Sequence, residues 1–287
     1  MSAAARPDVQ AFFDPRTATV TYLVSDPATR AAVVIDPVLD FDPKTGRTWT
    51  ESLDRVLAAA EAAGLAIGRV LETHAHADHL SAAQGVRRRT AARVGIGSRI
   101  VEVQKTFAPL FAAADVSLDG RAFDDLFEDE ARFPLGSLEV RVLHTPGHTP
   151  ACVTYVIGDA AFVGDTLFMP DFGTARCDFP GGSAETLWRS ARRILDLPED
   201  TRLFVGHDYP TGAGRPEPAW ETTVAAQRAN RHLKDGEAAF IAMRTARDAE
   251  LEAPALLLPA LQVNIRAGHL PPPDADGRVF LRLPVTG

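Results

Sequence analysis

The chain has 287 residues, 46% of them hydrophobic and 24% charged, a length and balance that suit one large domain or two small ones around a buried core. A formal net charge of −8 with no basic stripe argues against a nucleic-acid-binding surface, and Arg87-Arg88-Arg89 reads as a solvated helix face. No apolar stretch reaches the length of a membrane span, residues 1–7 lack the apolar core of a signal peptide, and two cysteines exclude a disulfide framework, so a reducing cytoplasm is expected.

Residues 11–36 read as a β-hairpin, with β-rich residues 17–24, a turn at 25–28 and a second strand over 31–36. Residues 41–49 are polar and turn-rich, as in an exposed loop. Residues 53–63 carry apolar side chains at helical spacing and stop at Gly64. A strand over 68–71 then delivers Thr73-His74-Ala75-His76-Ala77-Asp78-His79, and a helix follows to about Thr90. Residues 94–97 suggest a short strand, and the acidic run 124–130 a solvated surface. Residues 138–143 alternate as a strand and enter His144-Thr145-Pro146-Gly147-His148-Thr149-Pro150, where Pro and Gly force a tight turn. Strands over 152–157 and 160–163 lead to Gly164-Asp165-Thr166, a helix over 185–195 follows, and a buried strand over 202–205 ends in Gly206-His207-Asp208-Tyr209. A Gly- and Pro-rich loop over 211–218, a helix over 220–233 and a tail from about 254 carrying Pro271-Pro272-Pro273 complete the chain. No repeat or linker divides it, so one domain over 1–287 is expected.

The histidine stretch carries the chemistry. It places three imidazoles and a carboxylate within six residues, between an apolar strand and a helix. Histidines two apart at a strand end can face the same way and grip one cation. Imidazole and carboxylate are the ligands of zinc and of non-haem iron. Four strand ends each present a potential ligand: His74 with its neighbours, His148, Asp165 and His207. Loops at strand ends are where layered α/β proteins put their sites.

In order and in spacing type, these blocks resemble the metallo-β-lactamase superfamily. The resemblance implies an α/β fold, an αββα sandwich of two mixed sheets flanked by helices, with metal at one edge. Within the superfamily the chain is more similar to the persulfide (sulfur) dioxygenases. Residues 13–39 look like their first hairpin, and Arg176-Cys177-Asp178-Phe179 resembles their Arg-Thr-Asp-Phe segment, with Cys177 at the Thr position. Asn264-Ile265-Arg266-Ala267-Gly268 resembles a C-terminal Asn-x-Arg-x-Gly that glyoxalase II enzymes lack, whereas residues 41–50 and those past 269 look like additions.

The family likeness implies one Fe(II) per chain on His74, His148 and Asp165, with glutathione persulfide and O₂ as substrates, sulfite as product, sulfide detoxification as the setting and a homodimer as the assembly. His76, Asp78, His79 and His207 then orient ligands and water. The ligand set leaves a second chemistry open, a zinc-dependent two-metal thioester hydrolase of glyoxalase II type or a lactonase. There His74, His76 and His148 hold one metal, Asp78, His79 and His207 the other, and Asp165 bridges. Arg176 is the candidate to meet negative charge on the substrate, and Tyr209 to donate a hydrogen bond to the reacting oxygen or sulfur. Arg228 is the candidate for a glutathione carboxylate, and Cys177 for pocket wall or oxidation-sensitive thiol. His148 is preferred to His144 as ligand, Cys152 is expected in the core, and Asn264 and Arg266 are expected to tie the C-terminal segment to the body. His232 and His269 are expected at the surface.

Overall fold

Long β-branched runs buried on both faces set the architecture. The computed structural model describes residues 6–209 and 215–285. Residues 1–5 and 286–287 lie outside them, as do 210–214, where the expected Gly- and Pro-rich loop falls. In chain order the first half comprises β1 (Asp8–Asp14), β2 (Thr19–Ser25), β3 (Ala31–Ile35), β4 (Val38–Asp42), β5 (Arg47–Trp49), α1 (Glu51–Ala62), β6 (Ala66–Leu71), β7 (Leu80–Ser81), α2 (Ala83–Thr90), β8 (Arg93–Gly97), α3 (Ile100–Leu110) and β9 (Asp125–Phe127). The second half comprises β10 (Arg132–Leu135), β11 (Leu138–His144), β12 (Val153–Ile157), β13 (Ala160–Gly164), α4 (Ala184–Leu195), β14 (Arg202–Val205), β15 (Glu221–Thr223), α5 (Val224–Gln227), α6 (Glu237–Asp248) and α7 (Leu257–Asn264).

One sheet has the order β1-β2-β3-β6-β8-β9 and the other β10-β11-β12-β13-β14-β15, with β5-β4-β7 as a small third sheet. The expected αββα sandwich is observed. Val20, Tyr22 and Val24 of β2 point into the layer between the sheets and meet Val140, Tyr155, Phe162 and Phe204. Leu23 points the other way, into the cluster beneath α1 to α3, where Leu53, Val86, Ile100 and Val103 pack on Val34, Val70 and Val94. On the far side Leu187, Ala191 and Ile194 of α4 and Phe240 of α6 cover Val163, Leu203 and Val205. Burial on both faces explains why the central strands read as continuous apolar runs. Among the described residues no helix is long and apolar enough to cross a membrane.

The structure differs from expectation where pairing overrides local polarity. Residues 41–49 are not a loop: Asp40 to Asp42 pair with Arg47 to Trp49 as the β4–β5 hairpin. The first hairpin gains a third strand, β1, paired along its length with β2. The acidic run contains β9, because Arg93 answers Asp125 and Phe127 turns inward. Residues 220–233 do not form one helix. Thr222 and Thr223 pair with β14, and α5 is a single turn. The stretch from 254 begins with α7, whose Ala260 and Val263 are fully buried against Leu80. Tyr22 links the two sheets by donating its hydroxyl to the carbonyl of Val205 at 2.6 Å. Tyr22→Phe is expected to lower stability by about 1–2 kcal/mol by leaving that carbonyl without its donor. An unchanged urea midpoint would show that the bond contributes nothing.

Candidate metal centre

All four predicted ligand blocks converge at one edge of the sandwich. β6 ends at the His74 loop, β11 leads into the His148 turn, β13 ends at Asp165 and β14 runs into His207. The His148 turn depends on Gly147. Its φ is +136°, and a Cβ there would come within 2.3 Å of the Leu187 nitrogen at the start of α4. The turn thus brings His148 against the helix layer and toward Asp165. His148 Nε2 and His74 Nε2 lie 3.8 and 3.9 Å from Asp165 Oδ2. His74, His148 and Asp165 form one group whose ligand atoms lie within 4.8 Å of one another, and His76, Asp78 and His207 form another. His207 Nε2 is 2.9 Å from Asp78 Oδ2 and 3.5 Å from Asp165 Oδ1, so Asp165 faces both groups. His79 adjoins the second group, its ring centroid 4.2 Å from that of His76.

The partner of the other ring nitrogen decides which nitrogen is free. His148 Nδ1 donates to the Arg176 carbonyl at 2.8 Å, His79 Nδ1 to that of Leu80 at 3.2 Å and His207 Nδ1 to that of Ala18 at 3.2 Å. A carbonyl can only accept, so in the neutral form of each ring Nε2 carries the lone pair. Asp36, at the end of β3, acts on two more rings, on His74 through Thr73 and on His76 by its charge. It accepts from the Thr73 hydroxyl at 2.8 Å, which leaves that oxygen to accept from His74 Nδ1 at 3.0 Å. Asp36 Oδ1 also lies 3.0 Å from His76 Nε2, so its charge bears directly on that ring. Sequence reasoning missed Asp36 and its buried neighbour Glu72. Their signal was a carboxylate at the end of a fully apolar strand and another directly before the histidine stretch.

Behind this set stands the C-terminal segment. Buried Asn264 donates to the carbonyls of His76 and His79, both at 2.8 Å, and accepts from the Ser81 amide at 2.9 Å. The expectation that Asn264 and Arg266 act as ties holds. Arg266 pairs with Asp115 at 2.7 Å.

The electrostatics fit a cation. Buried polar atoms without a hydrogen-bond partner include His74 Nε2, His76 Nδ1, His79 Nε2, His207 Nε2, Asp78 Oδ2 and Asp165 Oδ1. Native proteins rarely tolerate such a cluster unless something else satisfies it. Burial and the neighbouring imidazoles hold His74 well below its ordinary range and His79 down at about 3, so both stay neutral. Burial also disfavours charge on His76 and His207, but nearby carboxylates outweigh it and raise them to about 9 and about 10, Asp36 leading for His76 and Asp165 for His207. Burial raises Asp165, and burial with Asp36 pushes Glu72 up to about 8. Imidazole and carboxylate atoms facing one space without partners are the donor set of a transition metal.

A cavity of about 450 Å³ opens onto His148, Asp165 and Asp78. Phe168, Phe172 and Tyr209 form an aromatic wall, with Tyr209 stacked over His207 at 5.6 Å. Burial holds the Tyr209 hydroxyl well above its ordinary range, so it stays a proton donor. Arg176 lines the cavity, with its guanidinium bidentate to Asp178 and in contact with the carbonyl of Glu252 at 2.6 Å. Two substrate-binding expectations need correction. Arg228 pairs with Glu199 at 2.9 Å on the exposed surface. Cys177 packs beneath α4 with Met169 and Leu187, outside the cavity lining. His232 is also not at the surface: it is buried and lines the cavity. His144 donates to the Pro150 carbonyl at 2.9 Å, away from the ligand groups, and Cys152 is a core residue as expected.

Comparison with known proteins agrees with this geometry. The profile described as "Metallo-beta-lactamase superfamily" matches residues 14–207. The chain is 53% identical over 284 residues to a "Beta-lactamase hydrolase-like protein" of Agrobacterium fabrum, covering 98% of this chain and 65% of that relative's length. It is 34% identical over 200 residues to the human mitochondrial "Persulfide dioxygenase ETHE1", covering 69% of this chain and 66% of that protein. The solved structure of ETHE1 from Myxococcus xanthus superposes with a TM-score of 0.73 at 30% identity, covering 91% of this chain and all of that one.

Two outcomes follow for metal binding. Asp36→Asn keeps an acceptor for the Thr73 amide but removes the charge beside His76, and is expected to weaken metal binding about 10–100-fold in a chelator competition. Unchanged affinity would show that Asp36 does not hold the ring. Because His76 and His207 are raised to about 9 and about 10, both are protonated at neutral pH before metal enters. Metal binding should therefore release protons and tighten as pH rises toward 9. Calorimetry in buffers of different ionisation enthalpy reads the proton count, and no release at pH 7 would contradict the assignment.

Proposed function

The chain belongs to the metallo-beta-lactamase superfamily, and within it we propose that it is a persulfide dioxygenase with one Fe(II) held by His74, His148 and Asp165. The observation that carries this reading is the grouping of two imidazoles and one carboxylate within 4.8 Å beside an open cavity. Similarity to ETHE1, in sequence and in solved structure, supports it. His74, His148 and Asp165 would hold ferrous iron, which would supply the reducing centre that dioxygen chemistry needs. The net change is RSSH + O₂ + H₂O → RSH + SO₃²⁻ + 2H⁺, in which the terminal sulfur is oxidised and dioxygen is reduced.

The protein's part is to hold, orient and exclude. The carbonyl of Arg176 fixes the His148 tautomer, and the tie from its guanidinium to Asp178 keeps that carbonyl in place. Phe168, Phe172 and Phe179 limit water around the reacting sulfur. The Tyr209 hydroxyl, kept protonated, donates to the sulfur or to an oxygen of the oxidised group. His76, Asp78, His79 and His207 orient the water that completes release of the thiol. The carrier thiol is glutathione on this reading. Cys152 and Cys177, both unpaired, suit a reducing cytoplasm.

A second reading has an observation of its own. His76, Asp78 and His207 form a second ligand group, which takes His76 in place of the expected His79 but offers room for the second cation of a two-metal thioester hydrolase, and the Agrobacterium relative is called hydrolase-like. Oxygen uptake by Fe(II)-loaded protein on addition of glutathione persulfide, with sulfite assayed in the same vessel, separates the two. Uptake matched about one-to-one by sulfite is expected. Absence of uptake in protein of verified iron content, with thioester hydrolysis by the zinc form, would replace this reading with the second.

A further inference from the structure

Asp165 and the carbonyl that orients His148 lie on the same stretch of chain, residues 165–183, which holds neither helix nor strand. Among the described residues, 174–178 make no backbone-to-backbone hydrogen bond. Side chains hold them instead. Arg244 Nη1 donates to the Thr174 carbonyl at 3.1 Å, and Asp248 Oδ2 accepts the Cys177 amide at 2.7 Å. The Arg176 carbonyl between these two points takes His148 Nδ1 at 2.8 Å. The segment is thus pinned on either side of the carbonyl that orients the ring.

Both pins come from one buried pair on α6. Arg244 Nε and Nη2 lie 2.9 and 2.7 Å from Asp248 Oδ1, which leaves Oδ2 for the Cys177 amide. Every nitrogen of the guanidinium is therefore engaged by the protein, although Arg244 borders the cavity and is 2% exposed. The helix itself is seated on α4, where Phe240 packs on Trp188 with ring centroids 5.5 Å apart. A buried ion pair yields little net stability, because desolvation offsets the attraction between its charges. What this pair supplies is direction: two side chains one helical turn apart fix the Thr174 carbonyl and the Cys177 amide together.

We infer that Arg244 and Asp248 are positioning residues for the metal centre, clamping residues 174–177 so that the Arg176 carbonyl holds His148 with Nε2 toward Asp165. His148 alone depends on this clamp. The Leu80 carbonyl that orients His79 sits in β7, and the Ala18 carbonyl that orients His207 lies just before β2, both outside the clamped segment. The inference rests on the reading of His148 as a metal ligand, a premise that the dioxygenase and the two-metal hydrolase share, so it does not depend on the choice between them.

The test reads His148 without turnover, by nuclear magnetic resonance of the zinc-loaded full chain with isotopically labelled histidine. Arg244→Met with Asp248→Leu removes the clamp and leaves no buried charge unpaired. Arg244→Met with Asp248→Asn returns an acceptor to the Cys177 amide. In the first double variant the Nδ1 proton of His148 is expected to exchange with water about 10-fold faster, and zinc affinity to fall about 10-fold in a chelator competition. The Nδ1 protons of His79 and His207 should keep their wild-type rates. The second double variant should return both quantities to within about 3-fold of wild type. Unchanged His148 exchange and zinc affinity in the folded first variant would overturn the inference. So would equal acceleration at all three rings, which marks general loosening, or no recovery in the second variant. Should neither variant fold, wild-type protein still decides: the Cys177 amide is expected to exchange as slowly as the amides of β14, and fast exchange there would overturn the clamp. His148→Ala assigns the ring proton and tests the premise, since unchanged zinc affinity in it would remove the ligand reading and the inference with it. Weakened binding in His148→Ala with no effect of the double variants would overturn the inference alone.

Discussion

Everything at the sandwich edge depends on holding lone pairs without partners inside the protein. A buried acceptor or donor left alone costs about 1–3 kcal/mol, and here several imidazole nitrogens and carboxylate oxygens face one another in that state. The fold tolerates this because each group is anchored elsewhere. Carbonyls of Arg176, Leu80 and Ala18 take the second nitrogens of His148, His79 and His207, while Asp36 and Thr73 fix His74. The rings are therefore oriented by surrounding carbonyls and by the Asp36 and Thr73 side chains. That is preorganisation: the cost of ordering the ligands is met during folding by the two sheets and their three apolar layers.

The anchoring extends far along the chain. Residues near the C-terminus support a loop some 190 positions earlier, since Asn264 Nδ2 reaches the carbonyls of His76 and His79 with sequence separations of 188 and 185. Gln84 and Gln104 return the contact by donating to the carbonyls of Ala267 and Ile265 at 2.8 and 3.0 Å. The metal loop thus lies between the first sheet and α7. The first half of the chain supplies His74 to His79, and the last third supplies the brace that keeps their backbone in register.

Much of this was legible beforehand because the responsible residues carry strong local signals. The histidine stretch, the Pro-Gly-His turn and the apolar runs of β6, β13 and β14 mark both element and site, and the observed strands fall within a residue or two of the expected ones. The misses share a different physics. The β4–β5 hairpin is polar in composition yet is held by pairing and by Arg16 over Trp49 at 5.1 Å. His232 looks like an isolated surface histidine until Gly173, distant in sequence, closes on it. Asp36 sits at the end of an ordinary strand, and its role appears once Thr73 and His76 are brought beside it. Arg228 by its residue type and Cys177 by its place beside Arg176 point to the cavity, whereas their neighbours Glu199 and the α4 cluster decide where they lie.

The two cysteines have a further meaning under the persulfide reading. A protein that handles sulfane sulfur is at risk from its own thiolates, any of which could take the outer sulfur atom from the substrate and leave the polypeptide persulfidated. Thiolate character is what makes a cysteine reactive in such exchange. Burial holds both Cys152 and Cys177 up at about 12, and both lie outside the cavity lining. With its thiols protonated and enclosed, the chain offers the incoming sulfur no competing nucleophile of its own and is shielded from self-modification during turnover.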